Sequence, residues 1–271
     1  MSVVENYTLT KVLITVMTYP HPSSGYNELV CTAGITEKGE WVRLYPVDYR
    51  YRPRNQQFHK YQWIEVELGQ RGNGNDDRSE SHRPKLDTIR ILGEPLSTKR
   101  GWAERRFIID ALPHASINKL RNLYDQQKVS LGIVRPSRVL DLLVERADAE
   151  WKPEWQRLFD ETRLFGEPQK PLRKIPYKFS YVFECADTEA GNPHMAMCED
   201  WEMGVLFLSE AARLGSDEQA AASVKRKFFD EMCGPHKDTR FFVGTVFPWN
   251  SWLVLGLFWP PKEPQETLFP C

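Results

Sequence analysis

The stretch from Leu29 to Arg50, LVCTAGITEKGEWVRLYPVDYR, constrains the fold more than any other part of the chain. LVCTAGI is short, apolar and β-prone, and EWVRLYPV alternates along its length. Between them Thr36-Glu-Lys-Gly39 supplies a tight turn whose glycine tolerates φ > 0. Successive strand side chains point to opposite faces, so Trp41, Arg43 and Tyr45 share one face and Val42, Leu44 and Pro46 the other. With the aliphatic face on a core, the opposite face presents an arginine between two rings, suited to stacking a base and pairing with phosphate. The competing reading is a strand buried on both sides, with Trp41 and Tyr45 inside.

The rest of the chain reads as strands around this hairpin. Lys11–Met17 is a β-branched first strand, followed by a Pro- and Gly-containing loop through Gly25 that forbids regular structure. Gln62–Leu68 alternates as a fourth strand and Lys85–Leu92 is a fifth. Between them, Gly69–Arg83 is polar, turn-rich and read as a mobile loop. Its Gly72 and Gly74 follow a strand but open no helix, which makes a phosphate cradle a weak reading. Trp102–Gln127 carries helical spacing, with Ser116 as the expected N-cap of INKLRNLYDQQ.

From Ser130 the β pattern resumes. SLGIVRPSRVLDLLVE is an extended strand interrupted by Pro136, Tyr177–Cys185 alternates, and His194–Gly204 reads as a third strand. Ala147–Lys174 is an insertion with a helix and a Pro-rich loop. Leu206–Met232 is helical with a break at Gly215-Ser216, and Arg240–Phe247 with Ser251–Trp259 makes a last hairpin.

This pattern predicts a β-rich α+β protein of two small barrel-like domains of OB, SH3 or PUA type joined by a helical connector. The boundaries expected are 1–95 for an N-terminal barrel, 96–129 for the connector, 130–262 for a C-terminal OB-like domain with inserted helices, and 263–271 for a Pro-rich tail. The second half follows the OB element order of three strands, a helix and two strands. At 271 residues the chain is long enough for two cores.

Net charge is −1, so global electrostatics give no argument for nucleic acid and only local patches count. The N-terminus lacks the basic region of a signal peptide, and no apolar run has transmembrane length. The five cysteines are odd in number and widely spaced, with no CxxC pair, which fits free thiols in a reducing cytoplasm.

The residues Cys31-Thr-Ala-Gly34 followed by Gly39-Glu-Trp-Val-Arg43 resemble the opening of the dual OB-containing domain families of prokaryotes. That resemblance implies a nucleic-acid-binding accessory protein of an anti-phage or other conflict system, with functional emphasis on Cys31, Gly34, Trp41 and Arg43.

For binding DNA or RNA, single-stranded or structured, the candidate phosphate ligands are Arg43, Arg50, Arg52, Arg54 and Lys60, which crowd a loop rich in tyrosine. Trp41, Tyr45 and Tyr49 are the candidate stacking rings, with Trp249 at a turn as a further one. Such a protein needs no cofactor and is a binder before it is an enzyme. An alternative is a nuclease or nucleotide hydrolase using Mg²⁺ or Mn²⁺ on His194, Asp200 and Glu202, which share a face if the segment is a strand. Another is a protein-interaction module with exposed aromatics as its docking face. Cys31 with His21 is a weaker nucleophile pair. Oligomeric state is left open by the sequence.

Overall fold

The computed structural model describes residues 6–23, 27–69, 76–160, 172–246 and 251–262. The expected first strand is β1 (Thr8–Met17), buried from Val12 onward. A three-residue hairpin comes next, β2 (His21–Ser23) with β3 (Asn27–Leu29), where no regular structure was expected. The ribbon has only two strands, and a proline such as Pro22 is tolerated where its missing N–H costs no interior ladder bond.

Next come β4 (Thr32–Thr36) and β5 (Trp41–Leu44). Their turn has the expected geometry: Gly39 sits at φ 79° and its N–H donates to Thr36 O at 2.9 Å. After two single 3₁₀ turns at Tyr49–Tyr51 and Arg54–Gln56 come β6 (Trp63–Gly69) and β7 (Ser81–Leu92). These strands close a barrel in the order β1-β4-β5-β7-β6, with β5 and β7 its one parallel pair. Val12, Ile14, Val42, Leu44, Ile64 and Val66 fill its interior, so the alternation in both hairpin and fourth strand has the expected phase. Residues 70–75, including Gly72 and Gly74, lie outside the described residues.

Helices α1 (Lys99–Ile109) and α2 (Ile117–Gln127) link the barrel to the second half of the chain. The hydroxyl of Ser116 accepts from Lys119 N, as expected of an N-cap. The second half is built from β8 (Leu131–Val134), β9 (Arg138–Arg146), α3 (Pro153–Asp160), β10 (Tyr177–Glu184) and β11 (His194–Met197). It continues with α4 (Trp201–Leu214), α5 (Asp217–Lys225), a π turn at Arg226–Glu231, β12 (Arg240–Val246) and β13 (Ser251–Phe258).

Two three-stranded sheets result, β11-β10-β9 and β13-β12-β8. β8 and β9 are one path interrupted at Pro136, and the other edges meet through a parallel bridge between Cys198 and Val254. Traced around this ring, the strands have the same cyclic order as the first barrel, again with the third and fifth strands parallel. His194–Gly204 is not one strand: it stops at Met197, and Asp200 caps α4 by accepting from Glu202 N. An aspartate that satisfies an orphan helix donor ends the extended run there.

The two halves share a core. Val16, Ala33 and Ile35 from the first barrel pack with Leu131, Ile133, Phe242, Leu255 and Phe258 from the second half and with Trp102 from α1. The outer face of β4 and β5 is therefore covered by protein.

Candidate functional site

That burial decides the fate of the expected stacking platform. Trp41 is half-buried and meets Phe242 edge-on at 6.0 Å. Arg43 is 2% exposed, and its Nη2 donates to Ser130 O and Oγ, both at 3.2 Å. Burial, reinforced by the nearby charge of Arg78, lowers the Arg43 pKa to about 10. Only Tyr45, 43% exposed, faces solvent. The three residues alternate as expected but present no open face, because the second half packs against it. The strand is covered on both sides at Arg43, as the competing reading expected, whereas Tyr45 is not inside.

The basic loop is likewise committed to internal pairs. Arg50 pairs with Glu28 at 2.8 Å, and Arg52 with Asp48 at 2.8 Å and Asp87 at 2.9 Å. Tyr49 donates its hydroxyl to Phe58 O at 2.7 Å and packs edge-on against Phe58 and Trp201; burial raises its pKa to about 12. Arg54 is exposed. Lys60 is buried and crosses to the second half, with Nζ 2.9 Å from Asp200 Oδ2 and 2.8 Å from Glu202 Oε2. Burial works against its charge, but the two carboxylates outweigh it and raise its pKa. Trp249 lies outside the described residues.

The metal triad of His194, Asp200 and Glu202 does not assemble. Asp200 and Glu202 are held by Lys60 at the start of α4, whereas His194 faces the other end of β11, with Nε2 3.0 Å from Thr188 Oγ1. The Lys60 ammonium already pairs with both of these carboxylates. Cys31 and His21 are not drawn into a nucleophile pair either. Cys31 N–H donates to Thr18 Oγ1 at 3.0 Å, and the His21 ring pairs with Glu199 at 2.9 Å. Desolvation lowers the His21 pKa, but the Glu199 hydrogen bond and charge more than offset this and leave it raised.

A different set of residues comes together where the halves meet. Tyr61, α1, α4, the π turn and the end of β13 line an open cavity of about 740 Å³. This is within the range of sites that take one small-molecule-sized group. Its aromatic wall is Trp102, whose ring centroid lies 5.1 Å from that of Trp259 and 5.5 Å from that of Phe258. Arg105 donates through Nε to Leu96 O at 2.8 Å, and its guanidinium lies 4.0 Å from the Tyr61 ring centroid. Half-buried Trp259 is flanked by Lys227 at 5.3 Å and Lys237 at 4.8 Å.

The backbone at this wall is held in a costly state. Arg100, Gly101 and Trp102 adopt φ of 51°, 64° and 69°, a left-handed turn inside the first part of α1. For the two non-glycine residues that costs about 1–2 kcal/mol each, and the rings packed around the Trp102 indole hold the conformation in place. The π turn that carries Arg226, Lys227 and Glu231 is a second irregular element on the same cavity, and π turns recur at functional sites.

Arg105, Arg213, Arg226 and Lys227 line the cavity, opposed by Glu202, Glu210 and Glu231. Glu210 holds Arg213 at 2.6 Å, Glu231 holds Lys227 at 2.5 Å, and Glu202 is held by Lys60. The positive charge left over is small and sits on Arg105 and exposed Arg226. Of these residues the sequence singled out only Glu202, and that as a metal ligand. The available signal was the run Lys225-Arg-Lys227 before two phenylalanines, together with Trp259 in the ring-dense last hairpin, both of which read equally well as ordinary helix and core.

Among the described residues, no helix is long and apolar enough to cross a membrane. No curated protein matches the chain. Among solved structures, one described as the crystal structure of the p204 HINb domain is similar over 95% of this chain and 98% of its own, at 9% identity and a TM-score of 0.31, which is too low to fix the fold. A family model described as a domain of unknown function, DUF8758, matches residues 8–111, which include the closed barrel and α1. A second such model, DUF8757, matches residues 113–270, more than half of the sequence, and the chain belongs to that family of domains of unknown function.

Proposed function

We propose that this chain is a tandem of two OB-type barrels joined by helices 96–129, and that it binds single-stranded nucleic acid in the groove between them. The barrels are read as 1–95 and 130–262. The single observation that carries the binding reading is the cavity of about 740 Å³ whose walls combine Trp102, Trp259 and Tyr61 with Arg105 and Arg226. Half-buried Trp259, backed by buried Trp102 and Tyr61, is the ring placed to stack a base, and the guanidinium groups on the same wall accept the phosphates. The shared cyclic order of the two rings, the order of an OB-type barrel, supports the architectural half of the proposal.

The proposed surface differs from the one the sequence suggested. It keeps the chemistry of rings interleaved with cations but moves it from β5 to the junction of α1, the π turn and β13. A role as an accessory in a prokaryotic conflict system rests on the resemblance of Cys31–Arg43 to the dual OB-containing domain families.

Because so little net charge lines the groove, stacking supplies most of the affinity. With Arg105 and Arg226 as the two phosphate partners, the slope of log K against log salt is about −1.4 for a single strand. Fluorescence anisotropy with labelled DNA and RNA oligonucleotides tests this. Trp259→Ala is expected to cost about 1–3 kcal/mol, roughly 5- to 150-fold in affinity, while Arg54→Ala leaves it unchanged. Affinity equal to wild type in both Trp259→Ala and Arg226→Ala, or no binding of any oligonucleotide at low salt, would remove the proposal.

A further inference from the structure

The connection between β10 and β11 gathers three side chains of complementary metal-binding chemistry. Donor atoms of buried Cys185, exposed Asp187 and half-buried His194 all lie within 4.8 Å of one another. They come from one short loop, Cys185-Ala-Asp-Thr-Glu-Ala-Gly-Asn-Pro-His194, closed by turns in which Thr188 N–H donates to Cys185 O at 3.1 Å and Asn192 N–H to Glu189 O at 3.0 Å. The site is thus local and largely formed before any ion arrives.

Each donor also has a partner that orients it. The Ile117 amide, at the first turn of α2, faces the Cys185 sulfur, and burial holds that thiol above its usual pKa. The Ser116 hydroxyl donates to Asp187 Oδ2 at 2.6 Å. Thr188 Oγ1 accepts from Cys185 N–H at 2.7 Å and lies 3.0 Å from His194 Nε2, which steers the ring. Outer partners of this kind are what fix the orientation and tautomer of metal ligands.

We propose that Cys185, Asp187 and His194 form a Zn²⁺ site. Bond lengths of about 2.0–2.3 Å place tetrahedral donors about 3.4–3.7 Å apart, so small side-chain rotations close the observed spacing on the ion. A thiolate with an imidazole and one carboxylate selects zinc; magnesium and manganese prefer oxygen donors throughout. On binding, the Cys185 S–H bond breaks, the sulfur keeps the electron pair and bonds to the metal, and the proton leaves to solvent. Three protein donors leave a fourth position for a water, and His194 also lines a cavity of about 270 Å³ together with Arg121 and Trp252. The site is separate from the inter-barrel groove, so it stands or falls independently of oligonucleotide binding.

The test uses the full chain, stripped with a chelator and titrated with Zn²⁺ or Co²⁺ alone. Metal analysis after gel filtration is expected to find one zinc per chain, and Co²⁺ to give a thiolate charge-transfer band. Cys185→Ser loses that band, His194→Gln weakens zinc at least about tenfold, and Thr188→Val weakens it by about 10- to 100-fold. Cys233→Ser changes nothing. His194→Gln and Thr188→Val alter less buried residues and keep the test decisive if Cys185→Ser does not fold. Substoichiometric zinc in the wild type, or wild-type affinity in both His194→Gln and Thr188→Val, overturns the proposal.

Discussion

Lys60 carries its ammonium from the first barrel into the start of α4, where Asp200 is 1% exposed. Burial raises the Asp200 pKa in spite of the lysine, and the lysine lowers that of Glu202. The two carboxylates and the ammonium exist in this form only together. Removing the cation alone leaves a buried carboxylate without compensation, a loss of about 3–5 kcal/mol for a buried pair. Lys60→Met is expected to lose that much in urea denaturation, and Lys60→Met with Asp200→Asn to recover most of it. A single variant within about 1 kcal/mol of wild type would show that the pair is not what joins these elements. Nothing in the local sequence distinguished Lys60 from the arginines around it, since its partners lie 140 residues away. The same limit hid Arg43: alternation sorts residues into two faces but is silent about what covers the outer one.

At the scale of elements, the strands with clean alternation and the capped helix α2 were legible, because period and cap chemistry are local. The start of α4 was not. His194–Gly204 keeps an extended pattern on paper, and only the capping bond of Asp200 shows where it turns helical. Gly34 illustrates a residue whose emphasis in the sequence had a packing cause. A Cβ there would stand 2.3 Å from Leu13 O and 2.5 Å from Val12 Cγ1, beside the register shift in β1 between Ile14 and Val16. A backbone carbonyl cannot move away as a side-chain tip can. Gly34→Ala is therefore expected to destabilise the barrel by about 1–3 kcal/mol, the usual cost of overpacking, as a lower midpoint in thermal and urea unfolding. Unchanged stability would mean that β1 and β4 separate more easily than their packing implies.

At the scale of the whole molecule, the sequence displayed two successive strand sets but not how they meet, because the apolar residues of the junction look like those of either core. Val16 and Ile35 belong to one barrel and Ile133, Phe242 and Phe258 to the other half, yet they form one cluster. The junction is further bound by Arg78 to Thr245 O at 3.2 Å and by Glu80, which accepts from Ser130 N at 2.8 Å and Ser130 Oγ at 2.9 Å. Unfolding the first barrel alone would expose the second half's share of that cluster and leave Asp200 without its lysine. Both penalties favour a single cooperative transition over two, although two family models divide the chain near residue 112. Ile64 is fully buried inside the first barrel, and Cys198 is buried inside the second half. Ile64→Ala, expected to cost about 2–5 kcal/mol, should therefore raise the rate at which Cys198 is alkylated in mild urea, read by peptide mass spectrometry. The rise should match the shift in the circular dichroism midpoint. Cys198 staying protected in that variant while half of the dichroism signal is lost would show two independent domains, and the groove between them would then be a hinge instead of a fixed cleft.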